Sequence, residues 1–201
     1  MSHDGWRRRP VRPGPVRAAA ATALTGSAVL ALVGCTGPDT DTPVPTTAAE
    51  PFLCTGVPRE GVELLSGVSD LRVSEGAGAW DDSAWSFACF VSTADDDGVV
   101  SVDSEPVVWH EFETAEDYLA QFEGSDTWVP IDGTGPGGGY AGRPSEGLVE
   151  AHWACGERRI LVNAFTVAGG GRDPVEDVSR LMVSMLPWAC GDQDAPPRTL
   201  D

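Results

Sequence analysis

Lysine is absent from this 201-residue sequence: all 13 basic residues are arginine, against 31 aspartates and glutamates, and the formal net charge is −18. Without lysine the chain cannot form a Schiff base with a substrate or supply a Walker-type or Ser-x-x-Lys lysine. The scarcity of basic residues also argues against nucleic acid as a partner, because that affinity depends on Lys and Arg neutralising phosphates. The composition therefore excludes lysine-based enzymes and disfavours nucleic-acid-binding proteins.

The sequence also lacks the short motifs of common catalytic and metal sites. No G-x-S-x-G is present, and the segment 110–113 (HEFE) has no second histidine for a zinc-protease helix. The segment 95–98 (DDDG) is interpreted as a turn, because EF-hand register would place Ser104 where a bidentate Glu is required. Gly133–Gly138 matches G-x-G-x-x-G, but no helix can follow it, so we interpret Gly133–Gly142 as a flexible loop. We expect no enzyme activity, no metal and no cofactor.

The N-terminal stretch has the order of a secretory leader. An arginine-rich segment precedes an alanine-rich apolar run, residues 18–33, which is too short and too weakly apolar for a stable membrane span. The run ends in Leu-Val-Gly-Cys, residues 32–35, which is typical of a bacterial lipobox. We therefore expect residues 1–34 to be a lipoprotein signal peptide. Cys35 would then carry the lipid that anchors the chain to the outer face of the cell membrane.

A second boundary follows from composition. Residues 35–51 comprise the lipidated cysteine and a stretch dense in Pro, Thr and Asp, which predicts a disordered linker reaching on the order of 50 Å. We expect one globular domain over residues 52–191 and a disordered tail over residues 192–201. The leader holds five of the 13 arginines and one of the 31 acids, so residues 35–201 carry a formal net charge of −22. Such a domain should stand off anionic lipid headgroups.

Four further cysteines remain, namely Cys54, Cys89, Cys155 and Cys190. An even number in an exported chain predicts two disulfides, for which three connectivities are possible. We favour Cys54–Cys89 and Cys155–Cys190, because each bridge would pin a terminal helical segment to a strand of the sheet.

Periodicity and turn residues predict a run of adjacent strands with helices at its ends. Helices are expected over residues 58–65 and 114–122 and from residue 173 to Pro187, with Thr114 and Asp173 as the caps of the second and third helix. The apolar stripe of the second helix, formed by Ala115, Tyr118, Leu119 and Phe122, should pack on the sheet. Strands are expected over residues 69–74, 83–91, 99–108, 147–155 and 158–167; the last two form a hairpin, in which Trp153 faces the core. This order favours a single α+β domain with an antiparallel sheet flanked by helices and held by disulfides, not alternating βα units.

Histidine and tryptophan give the remaining candidates for a site. Beyond the leader only His110 and His152 are present, and we interpret both as ordinary strand residues with no assigned role. Trp80 and Trp128 lie in loop-like contexts, where exposed rings would stack on a sugar or contact a partner protein. These two tryptophans are the predicted binding residues.

The pattern resembles that of actinobacterial secreted lipoproteins built around a domain of unknown function. The shared features are the lipobox at Cys35, the Thr/Pro-rich linker, Cys54 ahead of a short helix ending in Leu-Leu-x-Gly at residues 64–67, and Cys89 in a following strand. The resemblance covers residues 52–190. It implies an antiparallel sheet flanked by helices, similar to the PsbP-like fold.

Together these features predict a membrane-anchored cell-envelope lipoprotein without enzymatic activity, whose domain binds an envelope protein or a matrix component. The alternative is a carrier or sensor that holds a lipid or small molecule between sheet and helices, beneath the Gly133–Gly142 loop. A buried apolar cavity would favour the carrier, and an exposed patch around Trp80 or Trp128 would favour the binding module.

Overall fold

The computed structural model describes residues 42–75, Trp80 and residues 86–199. These residues form a seven-stranded antiparallel sheet with helices, so the predicted α+β domain is confirmed. The signal peptide over residues 1–34 and the lipidation site Cys35 lie outside the described residues. Within the described part of the chain, no helix is both long enough and apolar enough to cross a membrane.

The described elements follow the predicted order closely. The strands are β1 Phe52–Cys54, β2 Val57–Pro58, β3 Leu71–Glu75, β4 Phe87–Thr93, β5 Gly98–Pro106, β6 Trp128–Pro130, β7 Gly138–Ser145, β8 Leu148–Cys155 and β9 Arg158–Ala164. The α-helices are α1 Arg59–Ser66, α2 Ala115–Ala120 and α3 Pro174–Ala189, and a 3₁₀ turn spans Val107–His110. Strands β1 and β2 pair with each other, and the main sheet has the order β3-β4-β5-β9-β8-β7-β6. The sheet therefore consists of two antiparallel runs joined at its centre by the pairing of β5 with β9.

The main core lies on one side of this sheet, which we call the inner face. Helix α3 packs there, and it begins as the sequence predicts, with the Asp173 carboxylate accepting a hydrogen bond from the Val175 N–H at 3.0 Å. Helix α1 contributes to the same core and ends at Gly67, which has the left-handed φ of 74°. The fully buried side chains of the core include Val62, Leu65, Val102, Ile160, Val162, Val178, Leu181, Met182 and Met185.

Both favoured disulfides are confirmed. Cys54 of β1 is bonded to Cys89 of β4, with a Cα–Cα distance of 6.1 Å. Cys155 at the end of β8 is bonded to Cys190, which follows α3, with a Cα–Cα distance of 5.9 Å. Each bridge closes a separation of 35 residues, which in the chain-entropy model stabilises the fold by roughly 3–4 kcal/mol.

The predicted linker is wrong over residues 42–51. Val44 is completely buried, and its side chain lies beside Gly61 of α1, where the missing side chain leaves room. The Arg172 guanidinium donates a hydrogen bond to the Thr42 carbonyl. The composition of residues 42–51 did not indicate this packing, because one valine among prolines and threonines is a weak hydrophobic signal. The side chain of Val44 is nevertheless large enough to fill a gap in a core that other elements form. Residues 35–41 lie outside the described residues.

The predicted disordered tail is also wrong over the described residues 192–199. The N–H of Phe52 donates to Thr199 Oγ1, and the N–H of Thr199 donates to the Phe52 carbonyl, both at 3.0 Å. The N–H of Gly56 donates to the Pro196 carbonyl at 2.8 Å. The tail is held because a short strand such as β1 leaves backbone groups that need partners.

The interpretation of Gly133–Gly142 as a flexible loop is wrong as well. The second half of this segment belongs to β7, and Gly139 lies directly against the indole of Trp153. A Cβ on Gly139 would lie 2.5 Å from Trp153 Cε3 and closer still to the carbonyl oxygen of His152. The Trp153 indole N–H in turn donates to the Pro136 carbonyl at 2.9 Å. The glycines therefore serve close packing of β7 on β8.

Candidate functional site

The two predicted binding tryptophans differ in their surroundings. Trp80 is only 6% exposed, stacks on Phe87 with ring centroids 4.3 Å apart, and donates its indole N–H to the Thr55 carbonyl at 2.8 Å. The prediction that Trp80 is an exposed binding residue is wrong. The ring packs in the core although the residues that follow it in the sequence are acidic. Trp128 is half-buried and lines a cleft on the opposite, outer face of the sheet.

This outer-face cleft has a volume of about 590 Å³ and lies between α2, which packs on β8 and β7, and the 3₁₀ turn, which contacts β5. Its walls are aromatic, formed by Trp109, Phe112, Phe122 and Trp128. Its polar lining includes His110, Gln121, Glu150, His152 and Arg159. Aromatic walls around a few fixed polar groups are typical of ligand sites.

Strand alternation places the polar groups on the outer face. In β8 the even-numbered side chains of Glu150 and His152 point away from the core, whereas Trp153 belongs to the core. In the pairing of β5 with β9, Glu105 lies directly opposite Arg159. Residues 54 positions apart in the chain therefore share one surface.

Helix α2 supplies the cover of this surface. It begins after Thr114, whose hydroxyl oxygen accepts a hydrogen bond from the Asp117 N–H at 3.1 Å, as the predicted cap requires. The helix places Tyr118 against the sheet, and Phe122 follows in the next turn, with the two rings packed edge to face. Both side chains are buried, which confirms the prediction that this apolar stripe packs on the sheet.

The first half of the polar network centres on His152. Its Nε2 lies 3.0 Å from Glu150 Oε2, and its Nδ1 lies 2.5 Å from the Tyr118 hydroxyl oxygen. An ionised carboxylate only accepts, so a neutral imidazole donates from Nε2 to Glu150 and accepts at Nδ1 from the Tyr118 O–H. Both ring nitrogens of His152 are thus occupied, and the residue is 8% exposed.

The second half centres on Glu105. Its Oε2 atom accepts from Arg159 Nη2 at 2.7 Å and lies 2.7 Å from His110 Nε2. The Arg159 guanidinium carbon also lies 5.9 Å from the centroid of the Tyr118 ring, which joins the two halves. The groups therefore hold one another in place across the floor of the cleft.

These contacts shift the ionisation of the site. Burial raises the pKa of the Glu105 carboxyl, but hydrogen bonds with Arg159 and His110 outweigh it, and the pKa lies below its ordinary value. Burial alone would lower the pKa of Arg159, whereas the bonds with Tyr118 and Glu105 leave it raised. Burial raises the pKa of Tyr118. At neutral pH the floor therefore holds a carboxylate, a guanidinium and an un-ionised phenol.

Sequence reasoning missed both histidines. His110 ends the 3₁₀ turn rather than lying in a strand, and each histidine is hydrogen-bonded to a carboxylate. One signal was present: Glu150 and His152 are two residues apart in a predicted strand, so they share a face. No comparable local pattern connects His110 to Arg159, because their common partner Glu105 reaches Arg159 only through the sheet register.

Trp109 was missed too. The 3₁₀ turn that follows Pro106 turns this ring to the mouth of the cleft, where it is 47% exposed. Trp109 directly follows the predicted strand over residues 99–108, and nothing in this position indicated that its ring would be exposed beside a cleft. We expected an exposed tryptophan at position 80, but the exposed tryptophan among the described residues is Trp109.

The polar side chains of the cleft floor are engaged by one another. The two ring nitrogens of His152 contact Tyr118 and Glu150, and the guanidinium of Arg159 donates to Glu105. Across residues 42–75, 80 and 86–199, no group of three or more His, Cys, Asp or Glu side chains is placed to hold a metal ion.

Comparison with known proteins adds no relative from which a function could be transferred. No protein-family model matches the chain. No curated protein matches it significantly. The resemblance to actinobacterial lipoproteins thus remains a prediction from the sequence, and the function must be argued from the N-terminal pattern and the outer-face cleft.

Proposed function

We propose that this chain is a non-enzymatic lipoprotein of the cell envelope, anchored through Cys35, whose domain binds an envelope protein or a matrix component in the outer-face cleft. The observation that carries the proposal is the half-exposed ring of Trp109 at the mouth of a cleft that Trp128 also lines. Large aromatic side chains beside fixed polar groups are the residues on which binding energy is usually concentrated.

The polar network supports binding through its rigidity. Glu105 is fixed by Arg159 and His110, and Glu150 is fixed by His152. A partner that meets groups already held in position loses less side-chain entropy than one that must order them. The rigidity of the network thus supports recognition of a partner's surface group.

The carrier alternative has no support at the place where it was expected. A Cβ on Gly133 would lie 2.8 Å from Trp153 Cη2, and one on Gly135 would lie 3.2 Å from Leu186 Cβ. Core side chains therefore occupy the space beneath the glycine-rich segment. We therefore do not expect a small-molecule ligand beneath this segment.

The anchor is supported by the lipobox and by the two disulfides, which are typical of an oxidising extracytoplasmic compartment. Thr42 already contacts the domain through Arg172. At most seven residue steps then separate Cys35 from the domain, so covalent geometry limits the tether to about 25 Å. This is about half the reach that the sequence suggested.

The anchor is tested by expressing the full chain and its Cys35→Ser variant in the native host. We expect the wild-type protein in the membrane fraction with an acyl mass on Cys35, and the variant without that mass and released from the membrane. Wild-type protein that keeps its leader and gains no acyl mass would refute the anchor.

The binding module is tested by cross-linking in intact cells with Trp109→Ala and, as the matched control, Phe165→Ala. Phe165 is 48% exposed, close to the value for Trp109, but does not line the cleft. We expect the recovery of cross-linked envelope material to fall for Trp109→Ala alone. Equal recovery with both variants would contradict a role for the cleft.

A further inference from the structure

The ring of Trp109 differs from the other aromatic rings of the cleft. Phe122 packs against Trp128 and His152, with ring centroids 4.8 and 4.5 Å apart. Among the residues that the structure describes, no aromatic ring lies against Trp109, and almost half of its surface is exposed. Trp109 therefore offers a flat apolar face to a ligand that is itself flat and apolar on one side.

The charges of the cleft disfavour a charged ligand. An anion would meet the carboxylates of Glu150 and Glu111 in a strongly acidic domain. A cation would meet the Arg159 guanidinium, which already lies against the Tyr118 ring. The Glu105 carboxylate is compensated by the Arg159 guanidinium, and the Glu150 carboxylate accepts a hydrogen bond from the neutral ring of His152. A neutral ligand therefore adds no further charge that the cleft would have to compensate.

The polar groups of the cleft also disfavour a purely apolar ligand. A lipid chain in the cleft would remove Glu150, His110 and Gln121 from water without giving them new hydrogen bonds, which is unfavourable. A hydroxyl group both donates and accepts. It would therefore satisfy the carboxylate of Glu150, which accepts, and the amide of Gln121. The Gln121 nitrogen donates to the Tyr118 carbonyl at 2.7 Å, so the amide oxygen is the atom that would accept from a ligand hydroxyl.

A ligand that is neutral, rich in hydroxyl groups and apolar on one flat face is a sugar. We infer that the outer-face cleft binds a neutral hexose unit, with the C–H face of its pyranose ring on the indole of Trp109 and its hydroxyl groups on Glu150 and Gln121. The volume of about 590 Å³ lies within the range of small-ligand sites. This inference rests on the proposed function and specifies the matrix component as a glycan.

The inference is tested with the full-length chain, purified in a detergent that has no sugar headgroup. Calorimetric titrations use neutral oligosaccharides of glucose, galactose and mannose, and a sedimentation assay uses insoluble wall polysaccharide freed of protein. We expect the wild type and Phe165→Ala to bind, Trp109→Ala to bind roughly tenfold more weakly or worse, and Trp109→Phe to recover part of the loss. Binding to the oligosaccharides supports recognition of a short saccharide, and binding to the insoluble polymer alone supports recognition of a longer chain.

Absence of binding in both assays overturns the inference, as does equal affinity of Trp109→Ala and Phe165→Ala. The cellular cross-linking experiment distinguishes this failure from that of the proposed function. A protein cross-linked in a Trp109-dependent manner, without sugar binding, overturns the glycan and retains the binding module. If the wild-type protein neither binds sugar nor gives a Trp109-dependent cross-link, both the glycan inference and the proposed binding module are overturned.

Discussion

Replacing Gly139 with alanine tests whether the glycine-rich segment is packed, as the structure has it, or mobile. The new methyl group would lie 2.5 Å from Trp153 Cε3 and closer still to the carbonyl oxygen of His152. Neither neighbour can move cheaply. The carbonyl belongs to the backbone of β8, and the indole is 1% exposed and held by its hydrogen bond to Pro136. The substitution therefore has to push β7 away from β8.

The size of the effect follows from this overlap. Overpacking a well-packed interior costs typically 1–3 kcal/mol, and a clash with backbone and a buried indole belongs at the upper end of that range. We expect Gly139→Ala to lower the free energy of unfolding by about 2–3 kcal/mol. With a urea m-value of about 2 kcal/mol/M, the unfolding midpoint would fall by about 1–1.5 M. Tryptophan fluorescence, with both disulfides intact, would follow the transition.

Gly169→Ala is the matched control. No heavy atom lies within 4 Å of a Cβ at this position, and the backbone is not in the left-handed region. We expect its free energy of unfolding to stay within about 0.5 kcal/mol of the wild-type value. If Gly139→Ala were as stable as this control, the close packing of β7 on β8 would be refuted and the flexible-loop interpretation restored.

Three further predictions follow from the same structure. Val44→Ala should lower the free energy of unfolding by about 2 kcal/mol in a urea titration, because a fully buried side chain is truncated. An unchanged midpoint would show that Val44 does not pack in the core and belongs to a disordered linker. Tyr118→Phe keeps the ring but removes the hydroxyl from His152 Nδ1, so stability should fall by about 1–2 kcal/mol, and a neutral result would refute this hydrogen bond. The pKa of Glu105 is depressed in the folded protein, so its contribution to stability is present above its ordinary pKa of 4.5 and is lost as the pH falls through the folded value. Glu105→Gln should therefore be less stable than the wild type at pH 7 and should show a shallower loss of stability below about pH 4.5; parallel pH profiles would contradict the lowered pKa.

Much of the fold could be predicted because its signals are local. The alternation along β8 and β9 fixed both the hairpin and the assignment of Trp153 to the core, and the cap at Asp173 fixed the start of α3. The disulfides followed from placing each cysteine on a predicted element. The positions of Val44 and Thr199 could not be predicted, because their partners lie on remote elements and the surrounding composition is that of a linker.

The floor of the cleft could not be predicted for a related reason. Glu105 and Arg159 meet only because β5 and β9 are neighbours in the sheet, and this pairing joins the two halves of the chain. Tyr118 reaches His152 only because α2 folds back over β8. Sequence patterns describe faces of single elements, whereas a site of this kind depends on register between elements that are distant in the chain.

The glycines of β7 connect the core with the cleft. Gly139 and Gly142 are three residues apart in one strand, so they lie on opposite faces of the sheet. Trp153 packs on Gly139 at the inner face, and a Cβ on Gly142 would lie 2.8 Å from Trp128 Cε3 at the outer face. The same segment that superficially matches a dinucleotide fingerprint thus accommodates one tryptophan in the core and another in the wall of the cleft. A side chain at Gly142 would displace Trp128 and deform the cleft without touching the core.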